Sequence, residues 1–197
     1  MLPQLLLSQE ANKAMFLGGR AFPVQKRRDY ELGAAGIGDV SKGNTFQIWR
    51  ARIDKNYVYL GAPTVEESIL LDLPKVSEIS FSFDQNANPI FAYVQDGVAK
   101  LHWFDASIGN YTLTVLGSDV NTPKVTLDDK RPYQSAVSDV LVFYERLGGL
   151  YMRMQRERFN KEHHLANGLT GGIVRCGMMR NLRVGIELAQ STPTKPL

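Results

Sequence analysis

The sequence predicts an all-β fold of antiparallel sheets, built from propeller-like hairpin modules or as a β-sandwich, with an extended N-terminal arm. Three observations lead to this class. VSEISFSFD places Ile79, Phe81 and Phe83 on one face of a strand, because apolar and polar residues alternate with a period of two. Asp96-Gly97 lies between two such runs, which is the strongest short hairpin signal. A second hairpin of the same design follows about fifty residues later.

Length and composition limit the number of domains, the disulfides and the partners that are compatible with these strands. A chain of 197 residues is most simply one domain, or one domain with an arm. Cys176 is the only cysteine, so no intramolecular disulfide can form, and an apolar setting such as GIVRCGMM is typical of a packed thiol rather than a nucleophile. The net charge of +3 is mild and indicates nucleic acid only weakly, although arginine is concentrated in the second half.

The strands begin at Phe46. FQIWRARI and YVYLGAP form a hairpin across the turn DKN, and SILLDLP is a third apolar run that ends at Pro74. Residues 77 to 118 then form four consecutive antiparallel strands with short connections.

The repeated hairpin is SDVLVFYE, LGG and LYMRMQRERF, which matches NPIFAYVQ, DG and VAKLHWFD, with Tyr144 in the place of Tyr93. Repetition of a strand, a glycine turn and a strand is typical of blade-like β-modules. A helix over Leu150 to Leu165 is the competing interpretation, because Met, Arg, Gln, Glu and Lys favour helix. The Gly148-Gly149 turn favours a strand that runs to about Phe159.

Three regions follow from these elements. Residues 1–45 form the N-terminal arm, in which AMFLGGRAFPVQ is a possible hairpin and ELGAAGIGDVSKGNT an extended loop. Residues 46–190 form the β domain with its two hairpin modules, closed by one or two strands in IVRCGMMRNLRVGIELAQ. Residues 191–197 are a polar tail, which we expect to be flexible. We expect neither a signal peptide nor a membrane span.

Several motifs resemble nucleotide-binding, calcium-binding or other metal-binding sites, but none has the residues or the geometry that such a site requires. GAAGIG and GDVSKGNT have the wrong spacing for nucleotide loops, and DQNANP has Pro89 where a calcium loop needs glycine. Glu162, His163 and His164 are the only metal-like cluster, but adjacent strand residues point to opposite faces. The sequence therefore predicts no catalytic, cofactor-binding or metal-binding residue, and no enzymatic activity.

Two groups of residues remain as candidate interaction sites. Basic and aromatic side chains of the second hairpin form a candidate interface, because arginine and tyrosine are enriched where subunits meet: Arg146, Tyr151, Arg153, Arg156 and Arg158. Trp49 and Trp103 form a candidate aromatic surface for stacking, unless they pack within a sheet.

Part of the chain resembles virion structural proteins of tailed bacteriophages. The resemblance rests on Phe-Asp-x-Asn-x-x-Pro at residues 83–89, on Ala-Tyr and Trp-Phe-Asp after it, and on Tyr-x-Arg-x-x-Gly-Leu-Tyr-x-Arg-x-Gln-Arg-x-Arg at residues 144–158. It covers roughly residues 77 to 160. It implies a β-rich tail protein, present in several copies and without enzymatic activity.

The resemblance implies assembly in the host cytoplasm and a final place in the virion tail. The expected partners are copies of the chain itself, in a hexamer or another cyclic ring, and other tail proteins, with passive DNA contact where a ring lines a channel. No membrane partner or cofactor is expected. A carbohydrate- or receptor-binding module is the competing class, and a β-rich hydrolase is the third.

Overall fold

The structure is a computed structural model that describes residues 33–39, 46–54, 57–62, 65–86, 88–128, 139–169, 171–178 and 184–188. This part of the chain is all-β and antiparallel, as the sequence predicts. The strands are β1 Gly33–Asp39, β2 Phe46–Asp54, β3 Tyr57–Ala62, β4 Val65–Asp72, β5 Val76–Phe83, β6 Pro89–Gln95, β7 Val98–Asp105, β8 Asn110–Gly117, β9 Val120–Asp128, β10 Asp139–Arg146, β11 Gly149–Met154, β12 His163–Asn167, β13 Ile173–Met178 and β14 Val184–Leu188.

The strands form four sheets in chain order. Sheet A contains β1 to β4, sheet B contains β5 to β8, sheet C contains β9 to β12, and sheet D contains β13 and β14. Each strand pairs with the next one in sequence, so every sheet is a meander. The first strands of the sheets lie side by side, since β5 lies beside both β1 and β9, and β9 lies beside β13. Four-stranded meanders with adjacent first strands are the arrangement of successive propeller blades.

Neighbouring sheets share buried apolar layers. Between sheets A and B the alternation of β5 places Ile79, Phe81 and Phe83 in the layer, with Ala51 and Val58 opposite. Sheets B and C enclose a second layer that includes Leu101, Trp103, Val142, Tyr144 and Phe159. Sheets C and D enclose a third layer that includes Leu141, Phe143, Ile173 and Cys176. Sheet B is therefore covered on both faces along β6, and sheet C along β10, and these two strands are almost completely buried.

Backbone contacts link the first strands directly. The Val125 N–H of β9 donates a 3.0 Å hydrogen bond to Ser80 Oγ of β5, and the Ile173 N–H of β13 donates one of 2.8 Å to Thr122 Oγ1 of β9. Gly172 permits the second contact, because a Cβ there would lie 2.4 Å from the Thr122 side chain. The row remains open, since β1 and β13 make no contact comparable to that of β1 with β5 in the described ranges.

The two predicted hairpins occupy equivalent places, which confirms the repeat. β6 and β7 are the middle strands of sheet B, and β10 and β11 are those of sheet C. Tyr93 pairs with Lys100, and Tyr144 pairs with Tyr151 at the same position. The prediction of four strands over residues 77 to 118 is confirmed as β5 to β8, and the helix alternative for Leu150 to Leu165 is wrong.

Two sequence predictions need correction, and two others have no test. The glycine-rich stretch predicted as a loop contains β1, so the β region begins no later than Gly33 and not at residue 46. The strand predicted to reach Phe159 ends at Met154, and a 3-10 turn, Gln155–Glu157, follows it. The possible hairpin AMFLGGRAFPVQ and the tail 191–197 lie outside the described residues.

Replacing Leu147 with asparagine is expected to raise the free energy of unfolding by about 0.5–1 kcal/mol. Both hairpin turns have two residues with positive φ, Asp96-Gly97 in the first and Leu147-Gly148 in the second. Leu147 has φ +51° and is 84% exposed, so its side chain gains little packing in return for the strained backbone. Asparagine tolerates this conformation better. Urea unfolding of Leu147→Asn beside Leu147→Ala measures the effect, and equal stabilities of the two variants would contradict it.

Candidate interaction surfaces

Arg146 ends β10 and is held by two carboxylates. Its Nε donates a 2.7 Å hydrogen bond to Asp119 Oδ2, and its Nη1 lies 3.1 Å from Glu162 Oε2. The hydrogen bond from Arg146 lowers the pKa of Asp119 below its usual value. The guanidinium therefore joins the turn before β9 to the segment before β12, and its charge is balanced within the chain.

A polar network surrounds Tyr144, whose ring is fully buried. The Tyr144 hydroxyl donates a 2.5 Å hydrogen bond to Glu162 Oε1 and accepts one of 2.9 Å from Arg153 Nε. Arg153 also donates to the Phe159 carbonyl oxygen. Burial, followed by the bond to Glu162, raises the pKa of Tyr144. Burial alone would raise the pKa of Glu162, but the Tyr144 bond and the charges of Arg146 and Arg153 outweigh it and lower the pKa.

Arg158 links two sheets through a buried carboxylate. Its Nη2 lies 2.5 Å from Asp105 Oδ2 at the end of β7, so this ion pair connects the turn after β11 to sheet B. Asp105 also accepts bonds from the Ser107 N–H and hydroxyl. The Ser107 hydroxyl bond, together with Arg158, lowers the pKa of Asp105 in spite of burial.

Arg156 makes a looser contact with a second buried carboxylate. Its backbone N–H donates a 3.1 Å hydrogen bond to Asp139 Oδ1, and its Nε lies 3.2 Å from Asp139 Oδ2 without hydrogen-bond alignment. Burial raises the pKa of Asp139 above its usual value despite this arginine. Arg156 and Arg158 are the two candidate interface arginines that remain mostly exposed.

The candidate aromatic residues lie in different environments. Trp103 is only 3% exposed, packs edge-on against Phe159 and donates a 3.0 Å hydrogen bond to Thr114 Oγ1. Trp103 therefore packs within the sheets, which is the stated alternative to a surface for stacking, because its position on β7 points into the layer between sheets B and C. Trp49 is half-buried with its ring 5.8 Å from that of Phe83. Tyr151 is also half-buried, between the rings of Tyr144 and His164.

The residues of the metal-like cluster have separate partners. Glu162 belongs to the Tyr144 network, His163 Nε2 lies 2.6 Å from Glu157 Oε2, and His164 Nε2 lies 2.8 Å from Asn167 Oδ1. Within the described ranges, no three His, Cys, Asp or Glu side chains are grouped to hold a metal ion.

Cys176 is buried in the layer between sheets C and D. Burial raises the pKa of its thiol to about 12, so the nucleophilic thiolate is scarce at neutral pH. This placement agrees with the interpretation of Cys176 as a packed side chain.

The last strand of sheet B presents an apolar surface that the sequence analysis missed. Tyr111, Leu113 and Val115 alternate along β8 and are 38%, 52% and 56% exposed. On β7 they pair with Phe104, His102 and Lys100, respectively, which lie on the same face of the sheet. The nearby Ile108 is exposed as well. The sequence signal for this surface was the run from Ala106 to Gly117, which contains no charged residue. This run includes β8, the last strand of the sheet B meander.

In the part of the chain that the structure describes, no helix has the length and apolar character to cross a membrane. No protein-family model, curated protein or solved structure matches the chain.

Proposed function

We propose that the chain is a non-enzymatic structural subunit of a bacteriophage tail, which assembles with its own copies into a cyclic ring, a hexamer or another order, and with other tail proteins. The observation that supports assembly is the open row of four sheets. The resemblance of residues 77 to 160 to virion proteins supports the tail as the place of assembly.

The two ends of the row differ from its middle. Sheets B and C each have a neighbouring sheet on both faces, whereas sheets A and D have one described neighbour each. Sheet D has two described strands where the other sheets have four. Sheets with uncovered faces and edges are prone to further pairing, and natural proteins usually cover or charge them. Contacts between copies of the chain would cover these faces and edges.

The outer face of sheet A has the chemistry of a contact surface. Arg50 and Arg52 alternate with the buried Ala51 and therefore point away from sheet B. The Arg52 guanidinium lies 4.2 Å from the centre of the Tyr59 ring. Arg50 Nε is buried and has no hydrogen-bond acceptor among the described residues. The half-buried Arg50 and Arg52 side chains and the Tyr59 ring are of the residue types that are enriched where subunits meet.

Contact between the two unlike ends of the row would be head-to-tail. Such contacts produce rings when the rotation between copies closes. A ring in a tail could line the DNA channel, where the exposed Arg156 and Arg158 would face phosphate or a neighbouring subunit. The competing role as a carbohydrate-binding module loses one of its two tryptophans, since Trp103 is buried.

The experiment that tests the proposal is detection of the chain in virions. Mass spectrometry of purified particles from the phage that encodes it, together with immunogold labelling, is expected to place several copies in the tail. Absence from tailed particles, or binding of the purified chain to a glycan array as a stable monomer, would contradict the proposal.

A further inference from the structure

We infer that β8 of one copy pairs antiparallel with β8 of a second copy, so that two B sheets become one continuous sheet of eight strands. This inference deepens the proposed function and rests on its premise that the chain works in several copies. It concerns the outer edge of sheet B, which is distinct from the end faces of the row.

β8 lacks two of the usual protections of an edge strand, charge and proline. Edge strands of natural proteins carry charges, proline or bulges that prevent association. β8 pairs with β7 and with no other described strand, and it contains neither a charged residue nor a proline. Its bulge lies at Leu116, near the end of the strand, and leaves the pairing of Asn110 to Val115 with β7 regular. This regular part, with its exposed apolar row of Tyr111, Leu113 and Val115, is a surface for strand addition.

The other outer strands of the described four-stranded sheets carry ionisable side chains. β4 carries Glu66, Glu67 and Asp72, and β12 carries His163 and His164. Carboxylates of two copies that lie opposite each other would destabilise self-pairing of β4. β8 carries no charged residue, so two copies can meet along it without opposed like charges. The absence of charge therefore favours a second copy as the occupant of the β8 edge.

The sequence of β8 is self-complementary in antiparallel pairing. Antiparallel pairing centred on Leu113 sets Leu113 opposite its counterpart and Tyr111 opposite Val115 of the second copy. The same register sets Thr112 opposite Thr114 on the other face. Because side chains alternate along a strand, the apolar row meets the apolar row and the threonines meet threonines. Aromatic–β-branched and Thr–Thr pairs are favourable cross-strand combinations.

A charge-insertion experiment tests the pairing in the full chain. Sedimentation velocity over a range of concentrations is expected to show reversible self-association of the wild type. Leu113→Lys is expected to weaken it by about tenfold or more, since two ammonium groups would face each other across the symmetry axis. Leu165→Lys is the matched control, because Leu165 is 45% exposed on the outer strand β12, and its association is expected to equal that of the wild type.

A cross-linking experiment covers the case in which lysine impairs folding. Leu113→Cys is expected to form a disulfide-linked dimer under mild oxidation, since its Cα lies opposite its own copy, whereas Leu165→Cys is expected to remain unlinked. The native Cys176 is buried, so it is not expected to form a disulfide between copies in this experiment.

Three results would overturn the inference: a wild type that remains monomeric at all concentrations, an association that Leu113→Lys leaves unchanged, or an association in which Leu113→Cys gives no linked dimer. The proposed function is tested separately from this inference. β8 pairing in a chain absent from tails would refute only the proposed function, and a tail protein with unpaired β8 would refute only this inference.

Discussion

Replacing Phe159 with alanine is expected to lower the free energy of unfolding by about 3–5 kcal/mol. Phe159 follows the 3-10 turn, is fully buried and lies in the layer between sheets B and C. Its ring packs edge-on against Trp103 with 5.0 Å between centroids. Alanine would leave a cavity at this contact, and it would retain the strained φ of +55°, so no backbone relief offsets the loss.

Urea unfolding of Phe159→Ala and of Phe159→Leu measures this effect. The leucine variant is expected to lose less stability, because it keeps most of the buried volume. Leu147→Ala, at an exposed position, serves as the control for truncation outside the core. A Phe159→Ala protein as stable as the wild type would show that this side chain does not hold sheets B and C together.

Replacing Glu162 with alanine is expected to lower the free energy of unfolding by about 2–3 kcal/mol. The carboxylate accepts the hydrogen bond of the buried Tyr144 hydroxyl and lies within ion-pair distance of Arg146 and Arg153. Its removal leaves the Tyr144 hydroxyl without its acceptor and two arginines without their shared partner. Partial exposure of these arginines to water moderates the loss.

A double-mutant cycle with Tyr144→Phe isolates the hydroxyl–carboxylate contact. Because the phenylalanine variant removes the donor together with its need for an acceptor, the two changes are expected to be less destabilising together than their sum. Strictly additive losses, measured by the same urea unfolding, would exclude a direct coupling between these side chains.

The sequence predicted the middle hairpins well because their signals are local. Asp96-Gly97 and Leu147-Gly148 set turns with positive φ, and the flanking strands pair at once with their chain neighbours. The strand β1 was missed for the opposite reason. GAAGIGD has neither alternation nor β-branched enrichment, and its strand conformation depends on pairing with β2.

The candidate site was less predictable than the fold. Alternation along β11 separates Arg153 from Met152 and Met154, but it does not identify Tyr144 and Glu162 as partners of Arg153. Asp105 accepts hydrogen bonds from Ser107 in the turn after β7, yet its contact with Arg158 spans 53 positions of sequence. The sequence around Trp103 did not indicate that sheet C would cover its face of β7.

Local sequence was sufficient to predict the strands from β2 to β8, the repeated hairpin of β10 and β11, and their turns, because alternation and turn chemistry act between residues close together in the chain. Which faces meet became clear from the packed sheets alone. The packing of sheet B on sheet C buried Trp103 and Phe159, and the meander left β8 paired with β7 alone among the described strands, with its apolar row exposed. Burial depends on which distant strands cover a residue, and this is a property of the assembled sheets that short-range patterns do not contain.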